Sequence, residues 1–155
     1  MNYLTAAWMA SDNAQKWAPT LAAAESQYGI PAGLLARIAY QESRFRSEII
    51  DGTMASSAGA LGMMQLMPQY FASVQRPVPF TDQDTADQID EAAQLLASQY
   101  NHFGTWTDAV AAYNAGRGTI NQVLTGTKAL PDQTAQYIRQ VSADLPGIVN
   151  PTLSA

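Results

Sequence analysis

Glu42 is the residue whose surroundings most suggest chemistry. It follows Ile38 by four residues and Leu35 by seven, spacings that return to nearly the same direction on a helix. A carboxylate therefore points along an apolar face, where charged groups are rarely left unpaired. It does so in the last turn, where the helix dipole disfavours negative charge. Both effects raise a carboxyl pKa, and desolvation alone can move one by several units. A carboxyl protonated near neutrality is what a general acid requires. The alternatives are a surface glutamate at a fraying helix end, or an ion-pair partner for Arg44 or Arg46.

Other candidates read more plainly. Ser43 is a poor nucleophile by itself, because the single histidine, His102, lies far along the chain. His102 falls at the end of a long helix, which suits a capping or surface role. Asp82, Asp84, Asp87 and Asp90 lack the glycine that turns a calcium loop and read as a capped helix start. Gly116-Arg117-Gly118 follows no strand, so a helix C-cap explains it better than a phosphate loop. With no cysteine, thiol nucleophiles, disulfides and zinc-thiolate sites are excluded. No metal or other cofactor is expected.

The elements that must position these residues are helical. Alanine recurs in pairs and triplets, it is the best helix former, and alternating β-branched runs are absent. Pro19 suits a first helical turn, with Trp17, Leu21, Ala24 and Tyr28 at helical spacing and Gly29 ending the helix. Pro31 opens the helix of Leu34, Leu35, Ile38 and Ala39. Residues 47–62 read as a loop. A short helix is expected from about Gln65 to Val74, broken by Pro77 and Pro79. Thr81 and Asp82 cap a long helix striped by Ile89, Ala92, Ala93, Leu96 and Tyr100 and closed by Gly104. Thr105 to Ala115 forms a further helix stopped by Gly116 and Gly118, Ile120 to Leu124 one more turn, and Pro131 opens a last helix with Tyr137, Ile138 and Val141 inward. The tail after Pro146 is irregular.

The chain has 155 residues, which suits one domain over 1–155. Its formal net charge of −5 argues against nucleic acid, whose phosphates need a basic face, and against an anionic membrane surface. No apolar run approaches the roughly 18 residues of a membrane span. The first residues lack the basic region of a secretory signal peptide.

Four blocks in order are more specific than any single residue: Glu42-Ser43; Gly59-Ala60-Leu61-Gly62-Met63-Met64-Gln65-Leu66-Met67-Pro68; Ala112-Tyr113-Asn114-Ala115-Gly116; and Thr134-Ala135-Gln136-Tyr137-Ile138. Together they resemble the soluble lytic transglycosylases, peptidoglycan-cleaving enzymes that share the all-α, goose-type lysozyme fold. The resemblance covers about residues 19–141. It implies that Glu42 is the single catalytic acid and base. Gly62, Met63, Met64 and Gln65 would line the substrate groove. Tyr113 and Asn114 would lie near the scissile sugar, and the Tyr137 hydroxyl near the glutamate. Ser43 or Asn114 would orient the acetamido group or the glutamate. The implied substrate is the β-1,4 bond between N-acetylmuramic acid and N-acetylglucosamine, and the implied product is 1,6-anhydromuramic acid.

The sequence departs from the family's pattern in three places. Gly-Met-Met-Gln replaces the commoner Gly-Leu-Met-Gln. Gln88-Ile89 stands where the family often has Asn-Ile, and Ala92 where a glycine follows. The segment Glu48-Ile49-Ile50-Asp51-Gly52 is longer and more acidic than usual. Glu48 and Asp51 read as solvated loop residues. Were either to face Glu42 as a water-activating base, the enzyme would be a goose-type muramidase. An inactive structural or wall-binding component is the rival of another class. Without a leader or lipid-anchor pattern, the chain is expected to reach the wall as part of a phage virion or tail, with a secretion or conjugation apparatus as the alternative.

Overall fold

The computed structural model describes residues 2–154. Among them are seven α-helices: α1 (Asp12–Tyr28), α2 (Leu34–Ser43), α3 (Ser47–Ile50), α4 (Asp82–Phe103), α5 (Trp106–Ala115), α6 (Arg117–Leu124) and α7 (Asp132–Asp144). Short 3-10 turns cover Tyr3–Thr5, Ala7–Met9 and Ala72–Gln75. The described residues contain no strand, only one antiparallel bridge between Leu61 and Leu66. The expected all-α class is the observed one. No helix among the described residues is long and apolar enough to cross a membrane. Two compact units divide the chain within α4, one up to Ala93 and one from Gln94 on.

In the first unit α1 begins earlier than its proline suggests. Ser11 accepts the Ala14 N–H at 3.1 Å and Asp12 sits in the first turn, so a good cap starts the helix seven residues before Pro19. Pro19 therefore lies inside the helix, not in its first turn. It removes one intrahelical hydrogen bond. The turns on either side are held by the burial of Trp17, Leu21 and Ala24 against the core.

The α1–α2 junction depends on Glu25, which is only 2 % exposed. Helix α2 has Gly33 at its N-cap, which offers no side-chain acceptor. Glu25 supplies one instead. Its Oε1 accepts from Gly33 N at 3.0 Å, and its Oε2 from Leu35 N at 2.9 Å and Ala36 N at 3.2 Å. Donors left open at a helix start are thus met by a carboxylate from the preceding helix. Burial nevertheless pushes the Glu25 carboxyl above its ordinary range, with the backbone N–H bonds acting the other way.

Helix α2 ends in two consecutive left-handed residues, Arg44 (φ 52°) and Phe45 (φ 55°). The chain then turns into α3, a short helix inside the segment expected to be loop. The expected helix from Gln65 to Val74 is absent. Gln65 itself has φ 53°, which no right-handed helix tolerates, and the Leu61–Leu66 bridge closes a compact turn there. Only the single 3-10 turn Ala72–Gln75 follows.

The start of α4 is capped as the sequence indicates. Thr81 Oγ1 accepts from Asp84 N at 3.1 Å, and Asp84 Oδ2 accepts from Thr81 N at 2.9 Å, a reciprocal box. Arg76 adds ion pairs to Asp84 at 3.0 Å and Asp87 at 2.6 Å. The Thr81 N–H and then Arg76 hold the Asp84 carboxyl below its ordinary range, and Arg76 does the same for Asp87. Asp90 accepts from the Tyr28 hydroxyl at 2.6 Å. The acidic run is a helix start laced to its neighbours.

In the second unit α5 packs against α6 and α7. Thr105 caps α5 by accepting from Asp108 N at 3.2 Å. Gly116 ends α5 and at once begins α6, so Gly118 lies inside a helix instead of stopping one. Arg117 explains the difference: it reaches back to Gln99 Oε1 at 2.9 Å and Ser98 Oγ at 2.9 Å, anchoring the new first turn. His102 faces Asn121 Oδ1 at 2.9 Å, a surface role. The irregular tail is tied down where Asn150 N donates to Thr107 Oγ1 at 2.9 Å and Ser154 N to Asp108 Oδ1 at 3.1 Å.

Candidate active site

Glu42 sits in the last turn of α2, half-buried. The end of that helix is fixed by Ser43, whose hydroxyl donates to Ala39 O at 2.7 Å and accepts from Phe45 N at 3.1 Å. The second bond holds the left-handed exit, so the chain leaves just beyond Glu42. Two nearby arginines lie over aromatic rings. Arg44 lies over the Tyr40 ring, 4.5 Å from its centroid, and Arg37 lies over Trp8 and Tyr40. Arg46 pairs with Glu48.

Glu42 lines a cavity of about 250 Å3 together with Ile49, Met54, Ala55, Ser56 and Gln65. Glu42 is the one carboxylate in that lining. Glu48 is drawn to Arg46, whose Nε lies 2.7 Å from its Oε1. Asp51 accepts from Thr53 N at 2.9 Å and Thr53 Oγ1 at 2.6 Å. It lines a different cavity, with Asn13, Lys16 and Phe80. Asp51 follows α3 in a turn, while Glu48 lies in the first turn of α3 and not in a loop as the sequence suggested.

The Gly62–Gln65 turn stands on the same cavity through Gln65. Gly62 O accepts from both Gln65 N at 3.2 Å and Gln65 Nε2 at 3.0 Å, so the side chain folds over its own turn. Met63 and Met64 do not line the groove. Both are 0 % exposed, because left-handed conformations at Gly62 (φ 81°) and Gln65 (φ 53°) turn the two side chains between them into the core. They support the turn from below. Ser43 is likewise wholly buried, and its hydroxyl is committed to backbone, not to the cavity.

Met54, Ile49 and Ser56 are the residues that reading the sequence missed. The segment shows no period, and the one signal that could have found it is a methionine, Met54, in a polar stretch. Met54 is 45 % exposed. Ser56 is held in a tight turn, its N bonded to Ala60 O at 3.0 Å and its Oγ accepting from Ala60 N at 2.9 Å.

The other motif residues lie in the second unit. Tyr113 and Asn114 are half-buried on α5. Asn114 Oδ1 accepts from Thr134 Oγ1 at 2.8 Å, which joins α5 to the first turn of α7. Asn114 lines a cavity of about 210 Å3 that also holds Thr119, Lys128 and Thr134. Tyr137 is buried on the inner face of α7 with Ile138 and Val141.

No group of three or more histidine, cysteine or carboxylate side chains that could hold a metal ion occurs among the described residues. What the Glu42 cavity offers chemically is one carboxyl able to give and take a proton, beside an amide and an apolar wall.

An all-helical chain with a lone glutamate at the end of an inner helix, facing such a cavity, is of the lysozyme-like helical class. Its sequence matches the transglycosylase SLT domain family over residues 19–136, and the chain belongs to that family. It is also 28 % identical over 138 residues to a protein named "Transglycosylase" from Enterobacteria phage PRD1. The match takes in 89 % of this chain and 49 % of that protein, so the chain spans about half the length of this relative.

Proposed function

We propose that this chain is a peptidoglycan lytic transglycosylase domain in which Glu42 is both acid and base. Two facts support the reading: membership of the family, and the lining of the Glu42 cavity, which contains no second carboxylate. Most glycosidases need two, one as acid and one as nucleophile or base. Intramolecular transfer needs one.

In the proposed reaction the Glu42 carboxyl protonates the glycosidic oxygen. The bond from that oxygen to the anomeric carbon of N-acetylmuramic acid breaks, and N-acetylglucosamine leaves with a free 4-hydroxyl. The acetamido oxygen of the muramic sugar supports the positive charge at its anomeric carbon. The Glu42 carboxylate then takes the proton from the muramic 6-hydroxyl, whose oxygen closes onto the anomeric carbon. The product is a 1,6-anhydro sugar, no water is consumed, and the glutamate returns to its protonated form. Gln65, which shares the cavity with Glu42, contacts the substrate in this reading.

Mass spectrometry of digested peptidoglycan tests it. Fragments ending in 1,6-anhydromuramic acid are expected, and reducing-end muramic acid alone would refute transfer. Glu42→Gln should abolish lysis.

The relative from a phage supports a further proposal, that this domain travels in a phage particle and opens the wall locally. Proteomics of purified particles from the source phage should find the protein, and its absence from them refutes this route.

A further inference from the structure

Gln88, on α4, has its side chain packed against Gly62 of the turn that presents Gln65. It is 0 % exposed, and neither its Nε2 nor its Oε1 has a hydrogen-bond partner among the described residues. Buried polar atoms are almost always satisfied, so an amide with both ends open requires an explanation. Packing alone accounts for an unbranched side chain of this length, since methionine would fill the same space. It does not account for the amide.

What lies against the amide does. A Cβ at position 62 would sit 2.2 Å from Gln88 Oε1 and 3.1 Å from its Cδ. The carboxamide oxygen therefore occupies the place where any side chain at 62 would begin, and the Gly62 Cα–H on that side faces a polarised oxygen. Gly62 in turn receives both hydrogen bonds from Gln65, and Gln65 shares the cavity with Glu42. The contacts Gln88–Gly62–Gln65 run from the core to the cavity wall inside one unit.

We propose that Gln88 is a positioning residue whose carboxamide sets the Gly62–Gln65 turn, and with it the place of Gln65 beside Glu42. The inference rests on reading that cavity as the catalytic one. An open amide in the core costs stability, so its removal should stabilise the fold while loosening the site. A residue with a merely structural role would move stability and activity in the same direction.

The test compares the full chain with its Gln88→Met, Gln88→Asn, Gln65→Ala and Glu42→Gln variants by thermal melting and by kinetics on purified peptidoglycan. Gln88→Met should raise Tm by about 3 °C and lower kcat/KM about tenfold. Gln88→Asn, which keeps the amide but withdraws it from Gly62, should lose similar activity without the gain in Tm. In a Gln65→Ala background, Gln88→Met should cost less than about twofold more, because linked residues are not additive. Wild-type kcat/KM for Gln88→Met overturns the proposal, as does a fall in Tm (including failure to fold) or full additivity with Gln65→Ala. Unchanged lysis by Glu42→Gln would instead overturn the reading of the cavity.

Discussion

The Glu25 carboxylate accepts the backbone N–H of Leu35 at 2.9 Å, so a buried acid on α1 caps the helix whose last turn carries Glu42. Helix α2 spans only ten residues, and a shift at its start is felt at its end. Tyr3 lies on the other side of the arrangement, its hydroxyl held above its ordinary range by burial and then by the Glu25 charge.

Glu25→Ala should therefore be among the most damaging substitutions distant from the cavity. It leaves three backbone N–H groups without their acceptor and opens a hole in the core. Stability should fall by about 2–4 kcal/mol, measured by urea unfolding, with lysis falling at temperatures where the variant is still folded. A loss under about 0.5 kcal/mol would show that α2 does not depend on this cap.

The same residue predicts a pH dependence. Its carboxyl is raised above the ordinary 4.5 in the folded protein, desolvation outweighing the hydrogen bonds. The folded state thus holds a proton that the unfolded state has already released. That contribution to stability is complete below about pH 4.5 and is lost as pH rises through the folded value. The Tm difference between the protein and Glu25→Gln should shift against the native protein over that interval. A difference that stays flat from about pH 4 to pH 7 contradicts the assignment.

Ser43→Ala removes a buried hydroxyl that bonds both Ala39 O and Phe45 N. The cost should be about 1–2 kcal/mol. Because the bond to Phe45 shapes the exit beyond Glu42, kcat should fall several-fold as well. Retained kcat in the folded variant would confine Ser43 to stability.

Met54→Ala should behave in the opposite way. The side chain is 45 % exposed and lines the Glu42 cavity, so stability should change by less than about 0.5 kcal/mol. If Met54 packs on a sugar face, KM for glycan should rise several-fold with little change in kcat. An unchanged KM would remove Met54 from the binding surface.

Much of the fold is legible from local signals. The Thr81–Asp84 box, the Gly29 and Gly116 ends and the inner stripe Tyr137-Ile138-Val141 are set by capping and period, which act over a few residues. Pro19 misled because a proline marks a helix start only where no better cap lies upstream, and Ser11 is one. The stretch from Gln65 misled because the left-handed Gln65 and the Leu61–Leu66 bridge outweigh its helix-forming composition.

From the sequence alone follow the all-helical class, the place of Glu42 in the last turn of an apolar-faced helix, and the motif order that resembles the transglycosylase family. Those properties depend on residue type and spacing along one chain segment. The tertiary structure decided which side chains share a surface. It turned Met63 and Met64 inward, brought Met54 and Ser56 to Glu42, sent Asp51 to another cavity and set Glu25 beneath α2. Such placements rest on contacts between distant segments, such as Asn13 Nδ2 to Phe45 O at 2.8 Å and Phe80 N to Asp51 O at 2.8 Å. Loop residues held by such bonds follow no period that a sequence can display.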